Sequence, residues 1–477
     1  MPGRLVAAIV ALMRKWRTAV LVGIVIRGTI ICAAAPEKAA SWESVLTAPV
    51  PRANAPSAAP RWMKAIQDMA PLGSLESAVL GELPAEPPPA AVLAQFRGML
   101  KRRAATLDEF CIKPEETAAF PRGTLMGRDA PDMRAWRSLA QLKQLQTRVA
   151  WWDGERDRAA ALAADLVMAT GLAARDAADI RAWVAWGGMA EGAMDNALWL
   201  IRQIDVDDAQ LTTVRDALAN AGGVWPEGAA TALRGEFNFG FPAMIERLPV
   251  TNDGAAMLDA LTMFGVPRLE AADAERIGTS TKPLLDSAAT RELYGQTIAP
   301  FVAKILADPI WRDRKFGADC DRQNDLVLAQ LGAFGEIAMD RELDSIPTEK
   351  TGEIRKILAS VDNPVGKLLA VMFTPNLDAL AFTGIRTEAQ RRGVRILAEW
   401  RRRILRSAPL PGSAPEWKAA GWAATDIEDP FTGQALFFDT DKLKVWSVGI
   451  DGVDNHGTGD PRENADGADF WWSLDAE

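Results

Sequence analysis

Apolar residues recur at steps of three and four through most of the stretch from Arg61 to Arg406, the spacing that lines one face of an α-helix. The first such run is Ala90 to Phe110, opened by Pro87-Pro88-Pro89. Pro131 opens the next, which carries Trp136, Leu139, Leu142 and Leu145. Arg156 to Leu172 comes after it, then Asp176 to Ile204, whose spacing turns Ile180, Trp183, Val184, Met194, Leu198 and Ile201 inward. Asp205 or Asp207 suits the N-cap of a helix over Asp208 to Ala221, and Gly222-Gly223 suits its stop. Later helices are expected over Pro283–Leu306, Asp325–Leu343, Glu349–Val361 and Asn376–Leu405. Short connections favour antiparallel packing of neighbours, although no constant repeat length emerges. One phrase breaks the pattern: Leu233-Arg234-Gly235-Glu236-Phe237-Asn238-Phe239-Gly240-Phe241.

Past Arg406 the period changes. Ser407 to Pro415 is rich in Pro and Ser and reads as a linker, with Trp417 and Trp422 expected to cover the C-terminal strands. Ala435–Phe438 and Leu443–Val448 are short aromatic and branched runs, and Asp439-Thr440-Asp441-Lys442 between them suits a hairpin turn. Phe470-Trp471-Trp472 is a third strand. Gly449 to Ala468 is too polar and Gly-rich to build a core. The expected fold is mainly α: a multi-helix body of antiparallel helix pairs, then a small C-terminal antiparallel β meander with a Gly/Asp loop.

At the other end, Arg4, Arg14, Lys15 and Arg17 precede an apolar run from Thr18 to Ala35. A basic region, an apolar region and a small-residue end together read as a secretory signal or an uncleaved anchor crossing the membrane through residues 18–35. Arg27 interrupts the run, and a charge in mid-membrane costs about 2.5–3.5 kcal/mol. A buried amphipathic helix is the competing reading. The resulting division is 1–35 leader, 36–60 Pro/Ala-rich linker, 61–406 helical body, 407–424 linker and 425–477 β module.

Charge sharpens that division. The 477 residues have a net charge of −9, but from Thr425 onward there are 13 of the 63 acidic groups and only three of the 54 basic ones. The body is therefore near neutral and the tail holds the excess. A nucleic-acid binder would need a basic stripe, so no nucleic-acid partner is expected. The single histidine, His456, lies in the acidic loop, which excludes HExxH and other sites needing two histidines. No GxSxG elbow, P-loop or GxGxxG is present.

The remaining chemistry is carried by a few side chains. Cys111 and Cys320 lie outside the leader; they can pair as a disulfide in an oxidising compartment, or stand as two separate buried thiols. Glu236, among aromatics, is a candidate acid if burial raises its pKa; an Arg234–Glu236 pair or a helix-end hydrogen bond is the simpler reading. Glu191 and Asp195 share a helix face, more simply solvated than a hydrolytic pair. Arg391, Arg392, Arg395, Arg401, Arg402 and Arg403 form the basic face of the last long helix. They can meet anionic lipid or the acidic tail; a solvated face is the plain alternative. In the tail, Asp451, Asp454, Asn455, Asp460, Asp466 and Asp469 bring carboxylates together that would repel without a cation. Calcium takes six to eight oxygen ligands and suits such a loop. Glycines there permit the positive φ that turns carbonyls inward. It is not an EF-hand, since Val453 stands where a ligand is needed.

Asp429-Pro430-Phe431-Thr432-Gly433, Ser447-Val448-Gly449-Ile450-Asp451-Gly452 and Asp466-Gly467-Ala468-Asp469, in that order, resemble the C-terminal end of the type II secretion major pseudopilin. The resemblance covers about the last tenth of the chain and leaves the body unassigned. It implies a calcium-binding loop with Asp451, Asp466 and Asp469 as ligands. Similar tails end large envelope proteins of bacteria such as planctomycetes, and this chain resembles those more, since it lacks the prepilin signature. The expectation is an exported or membrane-anchored envelope protein, periplasmic or otherwise extracytoplasmic, non-catalytic, with a protein partner in the envelope. Two alternatives stay open: a hydrolase of envelope glycans using Glu236 or Glu191, and a helical scaffold that binds other proteins.

Overall fold

A computed structural model describes residues 41–48, 56–69, 80–81, 83–113, 116–118, 133–340, 342–458 and 468–475. The leader and its readings lie outside the described residues, as do Asp460 and Asp466.

The helical periodicity is realised closely. The main helices are α1 (Met133–Trp152), α2 (Arg156–Arg175), α3 (Ile180–Ile201) and α4 (Asp208–Asn220), then α5 (Ala229–Gly235). After them come α6 (Ser287–Ala307), α7 (Ala318–Met339, broken at Gly332), α8 (Thr351–Ser360), α9 (Pro364–Phe373) and α10 (Leu377–Leu405). Local chemistry sets several boundaries. Asp179 caps α3 by accepting from the Ala182 N–H. Asp207, not Asp205, caps α4, in a capping box with Gln210. Gly223 leaves α4 at φ +93°, where a side chain would be strained. Asn376 caps α10.

These helices pack in two groups. In the first, α2 packs against α1, α3 and α4, and α10 lies across α3 and α4. In the second, α6, α7 and α9 pack together and α8 rests on α7. A single apolar core runs through both, from Trp136, Trp183 and Trp186 to Tyr294, Phe301 and Trp400. Val184, expected to face inward, is 47% exposed and turns off the buried stripe.

The linkers are less empty than their composition suggests. Trp42–Leu46 is a short helix whose Leu46 is fully buried, and Ala58 and Ala59 are buried as well. Ala90–Phe110 is split into Ala90–Arg102 and Ala104–Glu109. The phrase around Glu236 does not break the helical path: α5 continues through a π-helical turn, Glu236–Gly240, into Phe241–Ile245.

The C-terminal strands are β1 (Phe437–Asp439), β2 (Lys444–Ser447) and β3 (Phe470–Ser473), an antiparallel sheet in the order β1-β2-β3. Register pairs Phe437 with Trp446 and Val445 with Trp472. One face of this sheet is laid on α10: a Cβ at Gly393 would sit 2.2 Å from Trp472 Cε3, so only glycine admits the indole. Trp417 is fully buried and packs at a tilt against Phe438 and Trp422, covering the meander as expected. Leu436, Val445, Phe470, Trp472 and Leu474 join the same core as the helices, so the boundary drawn at 425 is not a gap in the packing. Among the described residues, one helical stretch, Pro364–Leu405, is long and apolar enough to cross a membrane; half of its most apolar window is buried inside the protein.

Candidate functional site

The arginine face of α10 is where body and tail are joined, and it is not a solvated face. Glu388 is 4% exposed and accepts from Arg391 (Nε 2.9 Å, Nη2 2.6 Å) and from Arg392 (Nε 2.9 Å). Burial opposes its ionisation, but the two guanidinium groups overcome burial and hold the carboxyl down at about 2. Arg391 also donates to the Leu218 carbonyl at the end of α4 (2.7 Å), and Arg392 to the Glu428 carbonyl in the tail. Arg395 pairs with Asp426 and lies 4.3 Å over the Trp422 ring. One turn on, Glu399 ties Arg215, Arg402 and Arg403. Of the two partners considered for these arginines, it is the tail that Arg392 and Arg395 meet.

The tail begins on a buried carboxylate. Asp429 is fully buried and accepts from the Phe431 N–H (2.9 Å), Ser447 Oγ (2.9 Å) and the Val448 N–H (3.2 Å). Burial pushes its carboxyl up to about 6, against those hydrogen bonds and the charge of Arg392. The aspartate of the DPFTG phrase thus pins the turn to β2, a role that sequence alone did not disclose.

The Gly/Asp loop comes next. Gly449, Gly452 and Gly457 all take positive φ, and a Cβ at Gly449 would lie 2.8 Å from the Ala468 carbonyl. Asp469 is fully buried, and its Oδ2 accepts from the N–H groups of Asn455 (3.0 Å) and Gly457 (2.7 Å). Its Oδ1 is buried without a hydrogen-bond partner. Burial raises the Asp469 carboxyl above its ordinary value, and the charges of Asp454 and Asp451 raise it further. Asp454 accepts at Oδ1 from Trp446 Nε1 and the His456 N–H. Asp451 accepts from the Val453 N–H. His456 lies outside, 86% exposed, with Nδ1 3.5 Å from Asp454. Among the described residues no three His, Cys, Asp or Glu side chains converge to metal-binding distance. The described carboxylates alone therefore do not make the six to eight oxygens of a calcium shell; what they leave is one buried Asp469 oxygen without a partner, in the field of Asp454 and Asp451.

The other candidates fall elsewhere. Glu236 is 9% exposed at the π-turn; burial first, then Asp179, raises its carboxyl to about 7 against Arg181 and the Ile180 N–H. Of the two simpler readings, the Arg234–Glu236 pair is not made, since two residues apart on a helix they diverge and Arg234 Nε donates to the Val45 carbonyl (2.9 Å), whereas Glu236 does take a helix-end hydrogen bond, from the Ile180 N–H at the start of α3. Glu191, half-buried, is held by Arg386 (Nη2 2.6 Å) and Thr387 (3.0 Å) in a polar seam between α3 and α10, whereas Asp195 accepts from Gln390 (2.7 Å) and stays exposed to solvent. Glu236 meets the start of α3 and Glu191 lies 11 residues along it. That is about 16 Å of helix, beyond the ~5–9.5 Å that paired hydrolytic carboxylates need.

Cys111 and Cys320 are both free thiols, not a disulfide. Cys320 is buried and donates to the Thr297 carbonyl (2.6 Å), whereas Cys111 is half-buried beside Arg61 (3.9 Å). The two sulfurs face different partners, the Thr297 carbonyl in one case and Arg61 in the other, and not each other.

Comparison with family models, curated proteins and solved structures found no match.

Proposed function

We propose that this chain is an exported or membrane-anchored envelope protein with a structural, non-catalytic role, whose C-terminal β module is stabilised by calcium. The observation that carries this reading is Asp469, a fully buried carboxylate with one oxygen left without a partner beside Asp451 and Asp454. Asp466 adds a further carboxylate in sequence, outside the described residues. The basic and apolar leader supports the compartment. The separation of Glu236 from Glu191 supports a role without hydrolysis. The helical body then serves as the platform that presents the module, and a protein of the envelope is its partner.

Thermal unfolding in excess EDTA and in calcium tests the cation. A ligand at a hundred times its dissociation constant stabilises the folded state by about 2.7 kcal/mol. The midpoint should therefore rise with calcium, and the joint substitution Asp451→Asn with Asp469→Asn should abolish the rise. Identical unfolding curves in EDTA and calcium for the unaltered protein would end the calcium reading. Recovery of the full-length protein in the cytosolic fraction of its host would end the envelope reading.

A further inference from the structure

The phrase from Leu233 to Phe241 holds a short segment from far upstream. The helix Trp42–Leu46 lies across it: Arg234 Nε donates to the Val45 carbonyl (2.9 Å) and Asn238 Nδ2 to the Leu46 carbonyl (3.0 Å). Trp42 meets Phe237 edge-on, ring centroids 5.7 Å apart, in a notch kept open by Gly295 of α6, where a Cβ would lie 2.6 Å from Trp42 Cε3. Leu46 is fully buried in the core. Arg234, Phe237 and Asn238 stand three and four residues apart, so one face of the helical path carries this seat. Glu236, in the same turn, meets the start of α3 instead. It accepts from the Ile180 N–H beside Asp179, which is 5% exposed and caps that helix through the Ala182 N–H. Two glycines fix the fit: a Cβ at Gly235 would lie 1.8 Å from the Ala178 carbonyl oxygen, and one at Gly240 2.8 Å from Glu236 Oε1.

We propose that the Trp42–Leu46 helix is a releasable strap, and that ionisation of Glu236 in the turn beneath it loosens the seat. The strap's two hydrogen bonds and its ring contact come from residues within two positions of Glu236, so the turn cannot shift without shifting them. The π-turn is the compliant place, an i→i+5 ring that interrupts the ordinary helical ladder. The groups that face Glu236 are Asp179 and Arg181 from α3 and Tyr294 from α6. Arg181 is exposed. Tyr294 is fully buried, its hydroxyl without a hydrogen-bond partner, and it stacks on Phe241 just past the turn, ring centroids 4.1 Å apart. Protonated, Glu236 is a neutral group in that setting. Ionised, it sets a second buried negative charge beside Asp179. Relief comes when the turn swings the carboxylate toward water, carrying Arg234, Phe237 and Asn238 with it. Burial first, then Asp179, raises this carboxyl to about 7, so the change falls near neutral pH. The strap is seated on the acid side and loosened on the alkaline side. Neither the cation nor the compartment enters this inference.

Hydrogen exchange of the full-length protein at pH 6 and pH 8, corrected for the intrinsic effect of pH, tests this on the unaltered chain, Glu236→Gln and Asn238→Ala. If release carries Glu236 into water, its carboxyl falls from about 7 to the ordinary 4.5, and opening becomes about tenfold more frequent between those pH values. Protection across residues 43–47, where the Thr47 N–H is bonded to the Glu43 carbonyl, should therefore fall about tenfold at pH 8. The turn between α1 and α2, residues 152–157, should change less than twofold. Glu236→Gln should keep the strap at its pH 6 protection at both pH values. Asn238→Ala removes one hydrogen bond of the seat and leaves Glu236 in place, so it should lower protection at both pH values and keep the pH dependence. Strap protection equal within twofold at pH 6 and pH 8 in the unaltered chain would overturn the proposal, as would a pH dependence that persists in Glu236→Gln. Loss of protection at residues 236–240 at pH 8 with the strap still protected would show the turn moving without the strap, and would overturn it too.

Discussion

Replacing Glu388 by Gln removes one charge from the centre of the joint between body and tail. The substitution keeps the shape and leaves Arg391 and Arg392 without their shared carboxylate. Two routes give its size. Breaking a buried ion pair by removing one partner costs about 3–5 kcal/mol, because the remaining charge stays buried. Holding the carboxyl at about 2 instead of its ordinary 4.5 corresponds to about 3 kcal/mol of stability at neutral pH. The sign comes from linkage. The folded state holds this proton less tightly than the unfolded one, so the contribution is complete above pH ~4.5 and is lost as pH falls through ~2. Urea unfolding at pH 7 should therefore show Glu388→Gln destabilised by about 3–5 kcal/mol. The difference from the unaltered protein should shrink toward pH 2. Hydrogen exchange should quicken at the end of α4 and around Glu428, the two places the arginines reach. A loss below about 1 kcal/mol at pH 7, or a difference that grows on acidification, would refute the reasoning.

Glu236 has the opposite sign. Its folded-state carboxyl is raised to about 7, so its contribution is complete below pH ~4.5 and is lost as pH rises through ~7, a cost of about 3 kcal/mol. Glu236→Gln should therefore flatten the stability profile between pH 4.5 and 7 and leave the protein about 2–3 kcal/mol more stable than the unaltered chain at pH 8, by urea titration. Gly393→Ala sets two effects against each other: helix propensity alone predicts a gain of about 1 kcal/mol. The 2.2 Å approach to Trp472 predicts a loss of about 1–3 kcal/mol, and a measured gain in unfolding midpoint would show that the sheet is not seated there. Thiol labelling with peptide mapping should modify Cys111 in the folded protein. Cys320 should react only on unfolding, because burial pushes its thiol up to about 12; modification of both at equal rates in the folded protein would contradict the packing.

What the chain's pattern determined is local. Apolar spacing located α1 to α4 and α10 to within a few residues, because a helix must bury one stripe and its neighbours' side chains repeat accordingly. Short aromatic runs and the Asp439–Lys442 turn located the meander, since strand period and turn chemistry are written over a handful of adjacent residues. The failures were equally physical. The phrase around Glu236 looked like a break because aromatics and glycines are poor helix formers, yet packing carried the helix through a π-turn.

Only the tertiary structure decided which charges were spent on holding the fold together. The arginines of α10 read as a solvated face until Glu388, Glu399, Asp426 and the Glu428 carbonyl closed on them. Glu191 and Asp195 were assigned by Arg386 and Gln390, nearly 200 positions away in the chain. Asp429 and Asp469 differ from the other described acidic residues of the tail by being fully buried. Periodicity is a property of neighbours along the chain, whereas the partner and the solvation of a charge belong to contacts distant in it.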